Sequence, residues 1–118
     1  MKRNFKELFA SFSDHWSPKV VAELNGQHVK LAKFQGPFEW HHHTDEDEMF
    51  IVHKGSFTMQ FRDRDVEMHE GDFIVIPKGV EHKPIATEEV EVILIEPAST
   101  LNTGNIKNER TIHQPDHI

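Results

Sequence analysis

The pattern of apolar and polar residues changes its period once along the chain, near residue 26. Before that point the large apolar residues recur at spacings of three and four, as on one face of a helix: Phe5, Leu8, Phe9, Phe12 and Trp16. The Ser17-Pro18 pair that follows is a helix breaker. The pattern therefore predicts an N-terminal amphipathic helix over about residues 4–16, which packs as a lid on the rest of the domain.

After residue 26 the chain consists of short extended segments separated by turns such as Lys54-Gly55 and Gly71-Asp72. The candidate strands are residues 28–34, 39–43, 48–53, 56–62, 66–69, 73–76, 82–86 and 90–96. Short strands at such regular spacing are typical of an antiparallel sandwich or barrel rather than of βαβ units. The sequence predicts an all-β fold, with the barrel over about residues 26–98 of a single domain spanning residues 1–118.

Two of these strands carry apolar residues on both faces, in the runs 49–52 and 92–95. One face of an antiparallel strand normally meets water, so something must cover the outside of these two. We expect the N-terminal helix to cover part of it and a second subunit, in a homodimer, to cover the rest. The polar residues 99–118 predict an extended C-terminal arm or a frayed tail.

The composition of the chain excludes several classes of partner and site. The chain has 20 acidic against 13 basic residues and a net charge of -7, which argues against nucleic acid as a partner. It contains no cysteine, so a metal site must use nitrogen and oxygen ligands, and no tyrosine that could act as a catalytic acid. The charged N-terminus resembles neither a signal peptide nor a membrane span, so we expect a cytoplasmic protein without a membrane partner.

The most informative segment is residues 40–48, which reads Trp-His-His-His-Thr-Asp-Glu-Asp-Glu. On a strand, His41 and His43 share one face while His42 takes the other. The two imidazoles then stand about 7 Å apart at Cα, a span that side chains can close around one ion. Glu48 opens the next candidate strand after a short acidic turn. If the two strands pair as a hairpin, its carboxylate reaches the same ion.

His82 completes the candidate ligand set. It follows the turn Pro77-Lys78-Gly79 and begins the next candidate strand, which predicts that it points back into the barrel. Three imidazoles and one carboxylate suit a divalent transition metal (Fe, Mn, Ni, Co, Zn or Cu) better than Ca(II) or Mg(II). The alternative is an ion-free interior of hydrogen-bonded polar groups, and burying so many titratable groups unpaired is costly.

These residues resemble the two motifs of a known family. The first cupin motif resembles the run Gly36, His41, His43, Glu48 and Gly55, and the second resembles the run Gly71, Pro77, Gly79 and His82. The resemblance, to a small single-domain cupin of the RmlC-like jelly-roll superfamily, covers residues 36–86. It implies a cupin-type double-stranded β-helix, or jelly-roll barrel, with a metal ion held inside by His41, His43, Glu48 and His82, and frequent dimerisation.

Further residues carry weaker expectations. Glu39 shares the parity of His41 and is a candidate acid/base group, unless an outward-bending strand leaves it in water. Phe50 and Val52 share the parity of Glu48, and we expect them to form dry pocket wall near the metal. Met59 and Phe61 line the pocket or belong to the core. Trp40, His42, His53 and His69 are expected at the surface or an interface, away from the ligands.

Four protein ligands leave one or two coordination positions for water or a substrate oxygen. We therefore expect a small metalloenzyme that acts on an oxygen-bearing metabolite such as a sugar or keto acid, with isomerase, lyase or dioxygenase chemistry. The alternative is a non-enzymatic module in which the same ion holds a small-molecule ligand or stiffens the barrel, because a fold can carry a site without carrying chemistry.

Overall fold

The computed structural model describes all of residues 1–118, as one short helix and seven strands. These elements are α1 (Phe5–Phe9), β1 (Lys19–Leu24), β2 (Gln27–Pro37), β3 (Glu48–Lys54), β4 (Ser56–Phe61), β5 (Asp65–His69), β6 (Phe73–Ile76) and β7 (His82–Pro97). Every pairing between strands is antiparallel. None of the structure's helices has the length and hydropathy that crossing a membrane requires.

The long strand β7 organises the barrel. Its C-terminal half lies between β2 and β3, and its N-terminal half pairs with β4, so that His82 stands opposite Phe61. Residues 87–89 bulge out where the register with β2 shifts between Phe34 and Gly36. One strand therefore takes part in both halves of the barrel wall, and the prediction of an antiparallel all-β barrel is confirmed.

The core fills the barrel with side chains that alternate inward along the strands. It comprises Ala32, Phe34, Phe50, Val52, Phe57, Met59, Phe61, Met68, Ile76, Ala86, Val90, Val92 and Leu94. On β3 the inward positions are Glu48, Phe50 and Val52, so the first inward side chain of this strand is a carboxylate. The polar site consequently lies at one end of an otherwise apolar interior.

The N-terminal helix is shorter than predicted. It begins after Asn4, whose side chain accepts a hydrogen bond from the Glu7 amide, and it ends at Phe9 rather than near residue 16. The Ser11 hydroxyl donates to the Leu8 carbonyl and competes with the backbone for that acceptor. The prediction of a helix over residues 4–16 is therefore wrong beyond Phe9.

The N-terminal segment nevertheless covers the outside of the barrel, as predicted. Phe9 is 1% exposed and packs with Val21, Leu31 and Ile93 in a second apolar cluster, joined by Ile51. Burying a phenylalanine this completely contributes about 1.5–3 kcal/mol. His53 stacks on Phe9 at 5.0 Å, so its predicted exposure is wrong, whereas His69 is exposed as predicted.

Three strand predictions need correction. Residues 39–43 form no strand, because His41 makes only an isolated bridge with His82. The predicted strands 82–86 and 90–96 are one continuous strand, β7. Strand β1 was not predicted, because its three buried residues precede its three exposed ones instead of alternating with them.

The C-terminal segment, residues 99–118, folds back over the barrel and is not a frayed tail. The Asn105 amide donates to the His42 carbonyl, and the Val20 amide donates to the Asp116 carbonyl. Thr103 is fully buried, with its hydroxyl 2.6 Å from that of Thr111. The segment thus adds backbone hydrogen bonds both to β1 and to the loop that carries the clustered histidines.

Candidate metal centre

Two of the four predicted ligands are fixed to each other by their backbones. The His41 amide donates to the His82 carbonyl at 3.1 Å, and the His82 amide donates back to the His41 carbonyl at 2.9 Å. The histidine segment therefore does not meet the condition set above, a hairpin with the strand of Glu48, since its partner is the start of β7. The reciprocal pair brings two imidazoles together although 40 residues separate them in the chain.

The remaining two ligands come from the loop after β2 and from the start of β3. The His43 carbonyl accepts a hydrogen bond of 2.7 Å from the Gly79 amide, which ties the histidine loop to the turn before β7. The Asp47 carboxylate accepts another, of 2.8 Å, from the Lys78 amide. Glu48 then begins β3 with its side chain directed inward.

All four side chains converge. One ligand atom from each of His41, His43, Glu48 and His82 lies within 4.8 Å of all the others. Oε1 of Glu48 is 3.1 Å from Nε2 of His43 and 3.4 Å from Nε2 of His82. None of the four residues is more than 4% exposed. The sequence prediction that these residues come together in the interior is confirmed.

Hydrogen bonds set the orientation of two imidazoles. Nδ1 of His41 lies 2.9 Å from the Glu39 carbonyl, and Nδ1 of His82 lies 2.9 Å from the Val80 carbonyl. A carbonyl only accepts, so each Nδ1 carries the proton, and each Nε2 presents a lone pair to the centre of the group. Such backbone contacts are the usual means of orienting a histidine that binds a metal.

The polar atoms at the centre lack hydrogen-bond partners. Four of the five unpartnered buried side-chain nitrogen and oxygen atoms belong to this group: Nδ1 and Nε2 of His43, Oε1 of Glu48 and Nε2 of His82. Each unsatisfied buried polar group costs about 1–3 kcal/mol. The donor set therefore fits a divalent transition metal, which these nitrogen and oxygen atoms could hold.

The electrostatics keep two of the candidate ligands, His41 and Glu48, in forms that can bind a metal. Burial, followed by the neighbouring His82, lowers the pKa of His41 to about 4. Burial alone would raise the pKa of Glu48, but the imidazoles of His43 and His82 outweigh it and hold that pKa well below its ordinary value. His41 is therefore a neutral imidazole and Glu48 a carboxylate at neutral pH.

Sequence reasoning missed a second carboxyl group beside Glu48. Glu96 is 2% exposed on β7 and lies close enough to Glu48 for each carboxyl group to shift the pKa of the other. Burial, then the negative charge of Glu48, raises the pKa of Glu96 well above its ordinary value, the opposite direction to the shift of Glu48. Nζ of the buried Lys30 donates to Oε2 of Glu96 at 2.8 Å and to the Thr100 carbonyl at 3.3 Å. No local sequence signal joins residues 66 positions apart.

The other residues singled out from the sequence lie in different places. Glu39 is directed to the C-terminal segment, where it accepts a hydrogen bond from Asn108, and it does not face the ligand group. Phe50 lines a small cavity beside His41 and Glu48. The remaining three candidates for the pocket lie in the core and are not among the residues that line this cavity: Val52, Met59 and Phe61. They face inward as their parity requires and pack within the apolar core.

Trp40 and His42 flank His41 outside the ligand group, in agreement with their strand parity. Both are half-buried rather than fully at the surface. The guanidinium of Arg62 lies 3.9 Å from the centre of the Trp40 ring, and the backbone of His42 bonds to Asn105 at both its amide and its carbonyl.

The lowered pKa of His41 predicts a pH dependence of stability in the metal-free protein. Folded His41 binds its proton more weakly than unfolded His41, so its contribution is complete above pH 6.5 and is lost as the pH falls towards 4. The expected loss is about 3 kcal/mol. Urea unfolding at several pH values measures it. His41→Gln should flatten the profile, while His69→Gln, at an exposed histidine, should not; a profile unchanged in His41→Gln would contradict this assignment.

The fold and the site together define a class of protein: a small jelly-roll barrel with clustered histidines and a glutamate in its interior. The Cupin domain family matches residues 27–96. This span is more than half of the chain and contains all four candidate ligands, and the chain belongs to the cupin family.

Individual relatives agree with this assignment. A crystal structure of a cupin-2 domain-containing protein from Shewanella frigidimarina superimposes with a TM-score of 0.79 and 49% identity, over 80% of this chain and 93% of that one. An uncharacterised protein of Bacillus subtilis, YdbB, is 39% identical over 79 residues, which are 66% of this chain and 64% of the relative. An acireductone dioxygenase of Bacillus cytotoxicus is 39% identical over 59 residues, 47% of this chain and 35% of that enzyme. The chain thus spans less than two thirds of either curated relative.

Proposed function

We propose that the protein binds one divalent transition-metal ion through His41, His43, Glu48 and His82 and acts as a small metalloenzyme on an oxygen-bearing metabolite. The observation that carries the proposal is the group of buried nitrogen and oxygen atoms that face one another within 4.8 Å, most of them without hydrogen-bond partners. One metal ion would pair with one atom of each of the four side chains at once, which hydrogen bonds among neutral imidazoles and a carboxylate do not achieve.

Isomerase, lyase and dioxygenase reactions all suit such a centre. The similarity to an acireductone dioxygenase over 47% of this chain supports the dioxygenase type. When bound, the ion would act as a Lewis acid that polarises an oxygen of the substrate. The chain's own contribution is to orient the ligands through the Glu39 and Val80 carbonyls and to keep bulk water from the site with the aromatic wall that includes Phe50.

Metal analysis of the purified protein tests the proposal. We expect one ion per chain after loading with Fe(II), Mn(II) or Co(II) and dialysis. Glu48→Gln removes the only anionic ligand and should weaken binding by more than about 100-fold, since even residues that merely orient a ligand contribute 10–100-fold. His42→Ala is the matched control, because its side chain lies outside the group.

Turnover separates the enzyme from the binding module. Loaded protein is assayed for oxygen consumption and for isomerisation with panels of carbonyl compounds, and activity should disappear in Glu48→Gln while the fold survives. Well-folded protein that takes up no ion, or loss of the ion in His42→Ala, would contradict the proposed centre. An ion without turnover on any panel would favour the non-enzymatic module.

The homodimer and the cytoplasmic location stay predictions. Phe73 and Val75 on β6 are 64% and 52% exposed, and β6 pairs only with β3, so apolar surface for self-association is present at this edge of the sheet.

A further inference from the structure

A cavity of about 40 Å³ lies beside the four candidate ligands. A water molecule needs about 10–15 Å³, so the cavity holds about three waters or a molecule of similar size. His41 and Glu48 line one end of it. The rest of its wall is mostly aromatic and aliphatic and consists of Trp16, Pro18, Ala32, Phe34, Phe38, Phe50, Pro84 and Leu94, with Glu96 and Asn102 as the only other polar groups.

Trp16 is held firmly in the wall of this cavity, although the sequence pattern predicted that it lies on the face of a helix. Its indole stacks between Phe34 and Phe38, with ring centroids 4.4 and 4.7 Å away. The indole N–H donates to the Gln35 carbonyl, and the Trp16 amide donates to the Lys33 carbonyl, both at 2.9 Å. These contacts hold the ring across the cavity.

The backbone of Trp16 is strained. Its φ of 58° lies in the left-handed region, which a bulky side chain rarely adopts. Such a conformation is energetically unfavourable and persists only where the surroundings enforce it. At Trp16 the surroundings are two ring stacks and two hydrogen bonds, and the result of the strain is that an N-terminal side chain reaches into the barrel.

The aromatic wall leads directly to the ligand group. Phe38 meets His41 edge to face at 5.4 Å, and Phe50 meets His82 in the same way at 6.1 Å. A molecule in the cavity therefore has an apolar surface along one side and the candidate metal position at its end.

The charges around the cavity restrict its ligand further. No lysine or arginine lines it, whereas the carboxyl groups of Glu48 and Glu96 do. The buried ammonium of Lys30, which contacts the lining residue Glu96, already donates to that residue and to the Thr100 carbonyl. A phosphate or a dicarboxylate would enter without a cationic partner from the protein, at the cost of its hydration.

We propose that the substrate of this site is a small, largely apolar carbonyl compound with at most one negative charge, and that Trp16 sets its upper size. The proposal rests on the proposed metal centre, which would receive the carbonyl oxygen. It narrows the metabolites expected from the sequence to short hydroxyketones and keto acids and excludes hexoses and sugar phosphates.

NMR spectroscopy of the indole N–H signals tests this directly, because the chain has only two tryptophans. Trp16 lines the cavity, while Trp40 lies under Arg62 and does not. The probes are hydroxyacetone, phenacyl alcohol, which carries a phenyl ring in place of the methyl group, and dihydroxyacetone phosphate. Hydroxyacetone should shift the Trp16 signal and leave the Trp40 signal in place, in Zn(II)-loaded and in chelator-treated protein.

Calorimetric titrations of variants test the size limit. Trp16→Ala should bind phenacyl alcohol about tenfold or more tightly than the wild type, the scale that a change of pocket size produces. Trp16→Leu serves the same purpose if the alanine variant does not fold. Phe12→Ala is the matched control, because it truncates an aromatic residue of the same segment that packs on the outer cluster and does not line the cavity.

The outcomes are distinguishable. The inference is overturned if hydroxyacetone binds neither form or leaves the Trp16 signal in place, if wild-type protein binds phenacyl alcohol or the phosphate as tightly as hydroxyacetone, or if Phe12→Ala gains the same affinity as Trp16→Ala. If zinc fails to bind but the Trp16 shift and the size preference persist, the proposed metal centre fails and the assignment of Trp16 stands. If zinc binds and the size preference is absent, the proposed metal centre stands and the assignment of Trp16 fails.

Discussion

Replacing Glu96 with leucine is expected to destabilise the protein by about 3–5 kcal/mol, the usual cost of breaking a buried ion pair by removing one partner. The variant leaves the ammonium of Lys30, which is 3% exposed, with the Thr100 carbonyl as its only acceptor. Urea unfolding at pH 7 measures the loss. Glu96→Gln, which keeps an oxygen acceptor for Lys30, should lose less.

The double variant Lys30→Met/Glu96→Leu should recover most of this loss, because replacing a buried pair by apolar residues of similar volume is often neutral. Lys30→Met alone should cost less than Glu96→Leu, since burial already raises the pKa of Glu96 and the carboxyl left without its partner can take up a proton. Equal losses in the two single variants, or no recovery in the double variant, would contradict this account of the pair.

Gly104→Ala is expected to lower the free energy of unfolding by about 2–3 kcal/mol, the upper part of the range for single substitutions. Gly104 has a φ of 57°, and a Cβ there would overlap the His42 carbonyl oxygen and approach Cδ2 of His41 to 3.1 Å. The C-terminal segment must therefore move away from the loop that carries two candidate ligands. Metal affinity, measured by competition with a chelator, should fall by about tenfold as that loop loses its support.

Gly26→Ala is the matched control for this substitution. Gly26 also has a positive φ, of 77°, but an added Cβ would meet nothing within 4 Å. It should therefore cost only the conformational penalty of about 1–2 kcal/mol and leave metal affinity unchanged. A Gly104→Ala variant that matches Gly26→Ala in both measurements would mean that the C-terminal segment does not support the ligand loop.

The strands that the sequence predicted best are those bounded by glycine and proline turns. In β3 the alternation from Glu48 to Val52 also predicted which side chains face inward, because a half-buried strand imposes a period of two. The segment 39–43 was wrongly predicted to be a strand. His41 faces the interior as it would on a strand, but it is placed there by a single bridge to His82. The predicted length of the N-terminal helix was wrong for a similar reason. Phe12 and Trp16 are spaced as on a helix, but Phe12 packs on the outer apolar cluster and Trp16 lines the interior cavity.

The candidate ligands could be predicted because histidine and glutamate are common metal ligands, and their spacing along the chain matches a known motif. Glu96 and Trp16 could not. A glutamate near the end of an apolar strand is ordinarily exposed, and only the pairing of β2 with β7 places Lys30 beside Glu96. Trp16 reaches the cavity because its backbone adopts a left-handed conformation, and the pattern of hydrophobic residues does not predict such a conformation.

The reciprocal backbone bridge between His41 and His82, with the bond from Gly79 to His43, has a consequence for the order of events in maturation. Three of the four ligands are held in register by amide–carbonyl contacts that owe nothing to an ion. The barrel should therefore form without the proposed ion, unlike zinc fingers, in which the ion itself drives folding. The candidate ligands should lose little conformational entropy when the proposed ion binds, because their backbones are already ordered. A chelator should therefore remove the ion and leave the chain folded and able to bind metal again.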